Sequence, residues 1–255
     1  VGRANTVVGC YVPWKMTDKL QVQVWSDVAC PWCWVGKRHL EAAIEQLGEP
    51  VEVTWRAFEL DPTAPTSVPD DVDLVERLAT KYGVARAGAQ AMIDRMTGVG
   101  ARSGIDFHFE RAKPGNTFDA HRLLAWAAET GLQDALKERL FEAYMQEGRL
   151  VSDHEVLVEL AADVGLDPER AQAVLSSNEH AVEVRREQAM AQQLGVSGVP
   201  FFVVGGRYGV AGAQPTEVLL DALTRARADA RSTQLEVETG DGDAADACGP
   251  DGCAV

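Results

Sequence analysis

Basic residues are scarce in this sequence: 24 Lys and Arg stand against 39 Asp and Glu, for a formal net charge of −15 over 255 residues. A surface that acidic repels nucleic-acid phosphate and anionic lipid, which excludes both as partners. Long apolar runs are missing too. No stretch approaches the roughly 18 consecutive apolar residues of a membrane span. The opening segment VGRANTVVGCYVPWK lacks the apolar core and small-residue cleavage site of a signal peptide. Met16 reads as a natural start, so residues 1–15 read as upstream sequence or an arm, and the cytoplasm is the expected compartment. Cysteine is also sparse, at five residues. That excludes a disulfide-stapled scaffold and moves attention to spacing.

What is present is 46% apolar residues, enough for a well-buried core. LQVQVWS at 20–26 alternates as a half-buried strand does. Residues 31–47 read as a helix with Pro31 in its first turn and an inner face of Cys33, Gly36, Leu40, Ala43, Ile44 and Leu47. Gly48 closes it, and VEVTWRAF at 51–58 reads as a second strand. Helical periodicity then dominates, over 71–82, 86–101, 117–130, 132–147, 153–164, 168–176 and 179–194, with Asn116 and Ser152 placed as N-caps. Strands return at 201–204 and 207–210 around a Gly205-Gly206 turn, and a last helix covers 215–230. The two ends complete one sheet. The expected fold is α/β, one split sheet domain interrupted by a helical insertion. Its parts are an arm at 1–19, a discontinuous sheet domain at 20–61 and 195–230, an insertion at 62–194, and a flexible acidic tail at 231–255 that carries C-x4-C.

Cys30 and Cys33 form a C-x-x-C at the start of the first helix. Half of a zinc site is one reading, but zinc needs further cysteines or histidines at short spacing, and the next cysteine is Cys248. The redox reading explains more residues. Cys30 at the N-cap meets unpaired backbone N–H groups and the helix dipole, which lower a thiol from about 8.5 toward about 3.5–7.5. Cys33, one turn later on the inner face, is placed to resolve a mixed disulfide at an exposed Cys30. Trp32 between them shields the pair.

Cys30-Pro31-Trp32-Cys33 after a strand, together with Gly198-Val199-Pro200-Phe201-Phe202 before a later one, resembles the two signatures of the DsbA-like branch of the thioredoxin superfamily. SDVACPWCWVGKRHL, WRAFELDP and PGNTFDAHRLLAWA extend the resemblance over roughly 20–228, and it is nearest to FrnE-type cytoplasmic relatives. Glutathione transferases of the kappa class and 2-hydroxychromene-2-carboxylate isomerases share the split fold. The resemblance implies a thioredoxin fold interrupted by the helical insertion, with a thioredoxin-like domain at 20–61 and 195–230, and a cis Val199–Pro200 bond, with Val199 and Pro200 positioning a substrate strand beside Cys30. It implies thiol–disulfide exchange on protein thiols and disulfides, with glutathione as a possible electron donor or acceptor and no metal or organic cofactor.

Further residues enter this reading. Asp27 reads as a turn contact or as a proton relay for Cys33. His121 and Arg122 read as a helix's polar stripe, with glutathione binding as the rival. Phe107, Phe109, Trp126 and Phe141 read as core more than as a peptide groove. Gly249-Pro250-Asp251-Gly252 carries a type I turn that brings Cys248 and Cys253 together as a second redox pair, or as an inert tail. The rival functions are a glutathione-dependent transferase or isomerase of small aromatic molecules, and a zinc-holding or chaperone module that uses both cysteine pairs.

Overall fold

The computed structural model describes residues 19–66 and 73–240. The arm at 1–18, with Cys10, and the segment 241–255, with Cys248 and Cys253, lie outside the described residues. Four strands form one sheet: β1 (Leu20–Ser26), β2 (Val51–Ala57), β3 (Phe201–Val204) and β4 (Tyr208–Ala211). Their order is β2-β1-β3-β4, with β1 parallel to β2 and antiparallel to β3, and β3 antiparallel to β4. The hairpin between β3 and β4 turns on Gly205 (φ 58°) and Gly206 (φ 69°), a left-handed pair that only glycine adopts without strain.

Two helices cover one face of the sheet. These are α1 (Pro31–Leu47) and the C-terminal helix α9 (Thr216–Gly240), which pack on Val22, Val24, Phe202 and Val204 through Leu40, Ala43, Leu219 and Leu223. Alternation along β1 sends Trp25 to the other face, where it meets Ala191 and Val196. The helix expected over 215–230 continues to Gly240, since no glycine or proline interrupts RSTQLEVET after Ala230. The reading of 231–240 as flexible tail therefore gives way to helix.

Between β2 and β3 the chain forms α2 (Leu74–Tyr82), α3 (Arg86–Arg102), α4 (Phe118–Thr130), α5 (Gln133–Met145), α6 (His154–Asp163), α7 (Pro168–Leu175) and α8 (Ala181–Gln193). Their shared core runs into α1 through Trp34, which stacks on Phe141 at 5.7 Å and meets Phe107 edge-on at 5.7 Å. The insertion is thus packed on α1, the helix that begins at the C-x-x-C. Two caps differ from expectation by one residue. Asp153, not Ser152, accepts the Glu155 N–H at 2.8 Å, while Ser152 Oγ donates to the Thr66 carbonyl. Thr117 holds the N-cap position of α4, and the side chain of Asn116 accepts the Phe118 N–H.

β2 is an edge strand, and its open backbone is closed by a side chain. Gln133 Oε1 accepts the Trp55 N–H, and Gln133 Nε2 donates to the Trp55 carbonyl, both at 2.9 Å. That pairing satisfies an edge that would otherwise template another strand. Glu187 of α8 continues it, accepting from the Ala57 N–H at 2.8 Å and from Arg56 at 2.6 Å.

Candidate functional site

The strand β1 delivers Ser26 and Asp27, and a short turn then hands the chain to α1. Cys30 is the N-cap, with extended backbone (φ −99°, ψ 110°), and Pro31 fills the first helical position. The Cys33 N–H donates to the Cys30 carbonyl at 3.0 Å. The cap residue offers no side-chain acceptor to the helix, so the positive end of the dipole faces the sulfurs.

From the other side comes the loop before β3. The Val199–Pro200 peptide is cis, as the resemblance implied. The Val199 carbonyl accepts from Cys30 Sγ at 3.6 Å. Gly36 permits the approach of this loop to α1: a Cβ there would lie 2.9 Å from Pro200 Cγ and 3.2 Å from Phe202 Cζ. Gly36→Ala is therefore expected to destabilise the fold by about 1–3 kcal/mol through overpacking, read as a lower urea midpoint. An unchanged midpoint would mean that the loop yields freely.

Neither sulfur is openly exposed. Cys30 is 4% exposed and Cys33 is fully buried, so the expectation of an exposed Cys30 is corrected. The Val199 loop closes over the cap. Trp32 is the outward residue of the pair's loop, at 45% exposure. The two thiols interact strongly and titrate as a unit. Hydrogen bonding to Cys33, then burial, holds the Cys30 thiol well above its ordinary value. Burial raises the Cys33 thiol, but the hydrogen bond from Cys30, the charge of Lys137 and the Ser26 hydroxyl outweigh it and bring Cys33 below its ordinary value. The expectation of a lowered Cys30 alone is thereby replaced. The first proton leaves the pair readily, and the second is retained.

Asp27 is buried beside them. Its Oδ2 accepts the Leu60 N–H at 2.7 Å, and its Oδ1 lies 3.4 Å from His121 Nε2. Burial pushes this carboxyl up, yet His121, the Leu60 amide and Lys137 together hold it below the usual range. Asp27 is therefore a tethered anion. His121 belongs to this site through Asp27, while Arg122 turns away from it. The Arg122 guanidinium donates to the carbonyls of Val174, Ser177 and Glu179 and pairs with Asp119. Phe107, Trp126 and Phe141 are core, and Phe109 borders the cleft described next.

A cleft of about 1180 Å³ opens at Cys30 and runs toward α2 and α3. Cys30, Trp32 and Val199 form one end, and Leu74, Met92 and Met96 line the far walls. Cys33 does not reach it. Among the described residues, no group of three or more His, Cys, Asp or Glu is arranged to hold a metal ion, and no helix is long and apolar enough to cross a membrane.

Sequence reasoning missed Lys137. It sits on α5 with its ammonium completely buried, 4.9 Å from the centroid of Phe141. A signal was available, since Lys137 shares the apolar face that carries Phe141 one turn on.

Comparison with known proteins agrees with this geometry. The family model described as the DSBA-like thioredoxin domain matches residues 21–224. The crystal structure of a probable DsbA oxidoreductase from Streptomyces coelicolor superposes with a TM-score of 0.74 at 42% identity, over 92% of this chain and 99% of that one. The uncharacterized protein YwbO of Bacillus subtilis is 28% identical over 207 residues, which is 80% of this chain and 96% of YwbO. The cytosolic disulfide reductase DsbM from Pseudomonas aeruginosa, solved with GSH, shares the fold at a TM-score of 0.55 and 21% identity, over 85% of this chain and all of that one. A match over most of its length places the chain in the family of DSBA-like thioredoxin domains, as a thiol–disulfide oxidoreductase.

Proposed function

We propose that the chain exchanges disulfides on polypeptides through Cys30 and Cys33, as oxidant, reductant or isomerase. One observation carries the assignment of roles: Cys30 borders the cleft and Cys33 lies behind it. In the reductive direction Cys30, as thiolate, attacks a substrate disulfide and expels one substrate thiolate. Cys33 then attacks the Cys30–substrate bond, the second substrate thiol leaves, and two electrons have passed from the dithiol to the substrate. Charge sharing between the sulfurs supports this, because proton transfer from Cys30 to Cys33 frees the nucleophile. Val199 at the cleft's mouth, set by the cis bond to Pro200 behind it, positions the substrate backbone, and Trp32 supplies an apolar rim beside it. A reducing cytoplasm suits such a cycling pair.

The cleft also supports glutathione as the small thiol partner, since Arg77, Lys81 and Arg95 on its walls suit the carboxylates of a tripeptide. A transferase acting on aromatic molecules is disfavoured by the second cysteine, which would resolve a mixed disulfide with glutathione. The deciding experiment uses the wild-type chain. Equilibration against graded glutathione buffers, followed by alkylation and mass mapping, should show Cys30 and Cys33 joining as one two-electron couple between roughly −270 and −120 mV. The reduced chain should precipitate insulin by cutting its disulfides. Absence of both a couple at these residues and insulin reduction would overturn the proposal. Where the potential falls decides between oxidant and reductant.

A further inference from the structure

Lys137 is the one ammonium that the reaction above leaves unused at its centre. Its side chain is wholly buried, and among the described residues its Nζ has no hydrogen-bond partner. Around it lie the rings of Trp55 (5.8 Å) and Phe141 (4.9 Å). An isolated buried charge of this kind costs several kcal/mol unless another charge compensates it. Two cation–π contacts supply only part of that. The anions that act on Lys137 are Cys33, Asp27 and Cys30, in that order, and Lys37 opposes them. Asp27, held ionised by His121, the Leu60 amide and Lys137 itself, keeps its charge whatever the state of the sulfurs. Lys37 is itself held by Glu41, Asp134 and Glu138. The charge beside the ammonium that changes with redox state is that of the thiol pair.

We propose that Lys137 is a positioning residue for the thiol pair: its ammonium carries the countercharge of the reduced pair's thiolate, and it gives up its proton when the disulfide forms. The inference rests on Cys30 and Cys33 being the redox pair. Its balance closes. The reduced site holds one thiol, one thiolate and one ammonium, with no net charge among them. Reaction with a disulfide R–S–S–R′ moves two electrons to the substrate and forms the Cys30–Cys33 bond. The thiol proton and one ammonium proton leave with the two substrate thiols, as R–SH and R′–SH. The oxidised site then holds a disulfide and a neutral amine, again without net charge. Beside the constant Asp27 anion, the buried charge is then the same in both states, which avoids the desolvation penalty that an extra uncompensated charge would impose on one of them.

Titration behaviour supports the geometry. Burial brings Lys137 down to about 8, even with the attraction of Cys33, Asp27 and Cys30 acting upward. Removing the thiolate removes the largest upward contribution, so the proposal expects the midpoint to fall further in the oxidised protein.

The test follows Lys137 itself. In protein labelled at lysine Cε and Nζ, and with the resonance assigned through its own bonds, the reduced form should titrate near 8. The oxidised form should titrate lower by at least about one pH unit. Equal midpoints in the two redox states would overturn the proposal, while insulin reduction by the same sample would show that the redox pair itself stands. A second arm uses Lys137→Met, which keeps the volume and removes the charge. Thiolate absorbance of the reduced variant should titrate at least about one pH unit higher than in the wild type. An unchanged thiolate titration in the folded variant would equally overturn it. If that variant does not fold, the wild-type titration decides alone.

Discussion

Cys30→Ser is expected to abolish insulin reduction down to the uncatalysed background, while Cys33→Ser retains attack but not release. The reason lies in which sulfur meets the cleft. A substrate disulfide entering between Trp32 and Val199 reaches Cys30 and is separated from Cys33, which is fully buried. Serine at position 30 leaves no thiolate there, and its hydroxyl does not ionise usefully near neutral pH. Serine at position 33 leaves Cys30 able to form a mixed disulfide that nothing within the site resolves. Covalent complexes with protein substrates should accumulate in that variant, visible on non-reducing gels and dispersed by dithiothreitol. Turnover should fall to roughly one event per molecule. Full activity in Cys30→Ser would sink the assignment of the redox pair. Trapped complexes in Cys30→Ser rather than in Cys33→Ser would reverse the two roles.

The placement of the two cysteines was legible because it rests on local rules. Strand, turn, helix N-terminus and a proline at the first helical position can all be read from SDVACPWCW. The same locality accounts for most elements, and for the two caps that moved by a single residue: Asp153 and Ser152 are adjacent oxygen-bearing residues, and only the backbone path decides which one turns inward. The hidden part of the site is what arrives from far along the chain. Lys137, in QDALKERLFEAYM, sits at the helical spacing of Leu140 and Phe141, but that spacing does not show what it faces; packing of α5 against β2 and α1 does. His121 reaches Asp27 across 94 residues, and no spacing rule links them. The charge on the pair was misread for the same cause. A helix N-terminus favours whichever sulfur is nearest, but Lys137 and the Ser26 hydroxyl pull the charge toward Cys33. Local sequence therefore specified where the two sulfurs sit, and tertiary contacts specified their electrostatics.

Arg122 shows how a residue next to the site in sequence can serve the fold instead, and its removal is expected to have the largest effect on stability. It follows His121 in α4, one residue from the group that holds Asp27, yet it points toward the end of α7. Its guanidinium is almost wholly buried and donates to three backbone carbonyls, those of Val174, Ser177 and Glu179. They tie the C-terminus of α7 and the following turn to α4, and the Val174 carbonyl also accepts from the Ser177 N–H and hydroxyl. Asp119, one turn back on α4, supplies the anion at 2.8 Å. Arg122→Ala would take a charged donor from the buried Val174 carbonyl, which keeps the Ser177 N–H and hydroxyl, remove the tie to the Ser177 and Glu179 carbonyls, and leave the part-buried Asp119 carboxylate with His154 alone. A loss of about 2–4 kcal/mol follows from the lost charge-assisted bonds, or a fall in Tm on the order of 10 °C for a domain of this size. Arg122→Lys should recover little of it, since a single ammonium cannot reproduce a planar fork aimed at several acceptors. Urea unfolding of the three proteins measures this directly. Insulin reduction per folded molecule should meanwhile stay near the wild-type value, because the guanidinium borders neither the cleft nor the sulfurs. If Arg122→Ala unfolds at the wild-type midpoint but loses glutathione-dependent exchange, the side chain is a ligand group and the structural account of it fails.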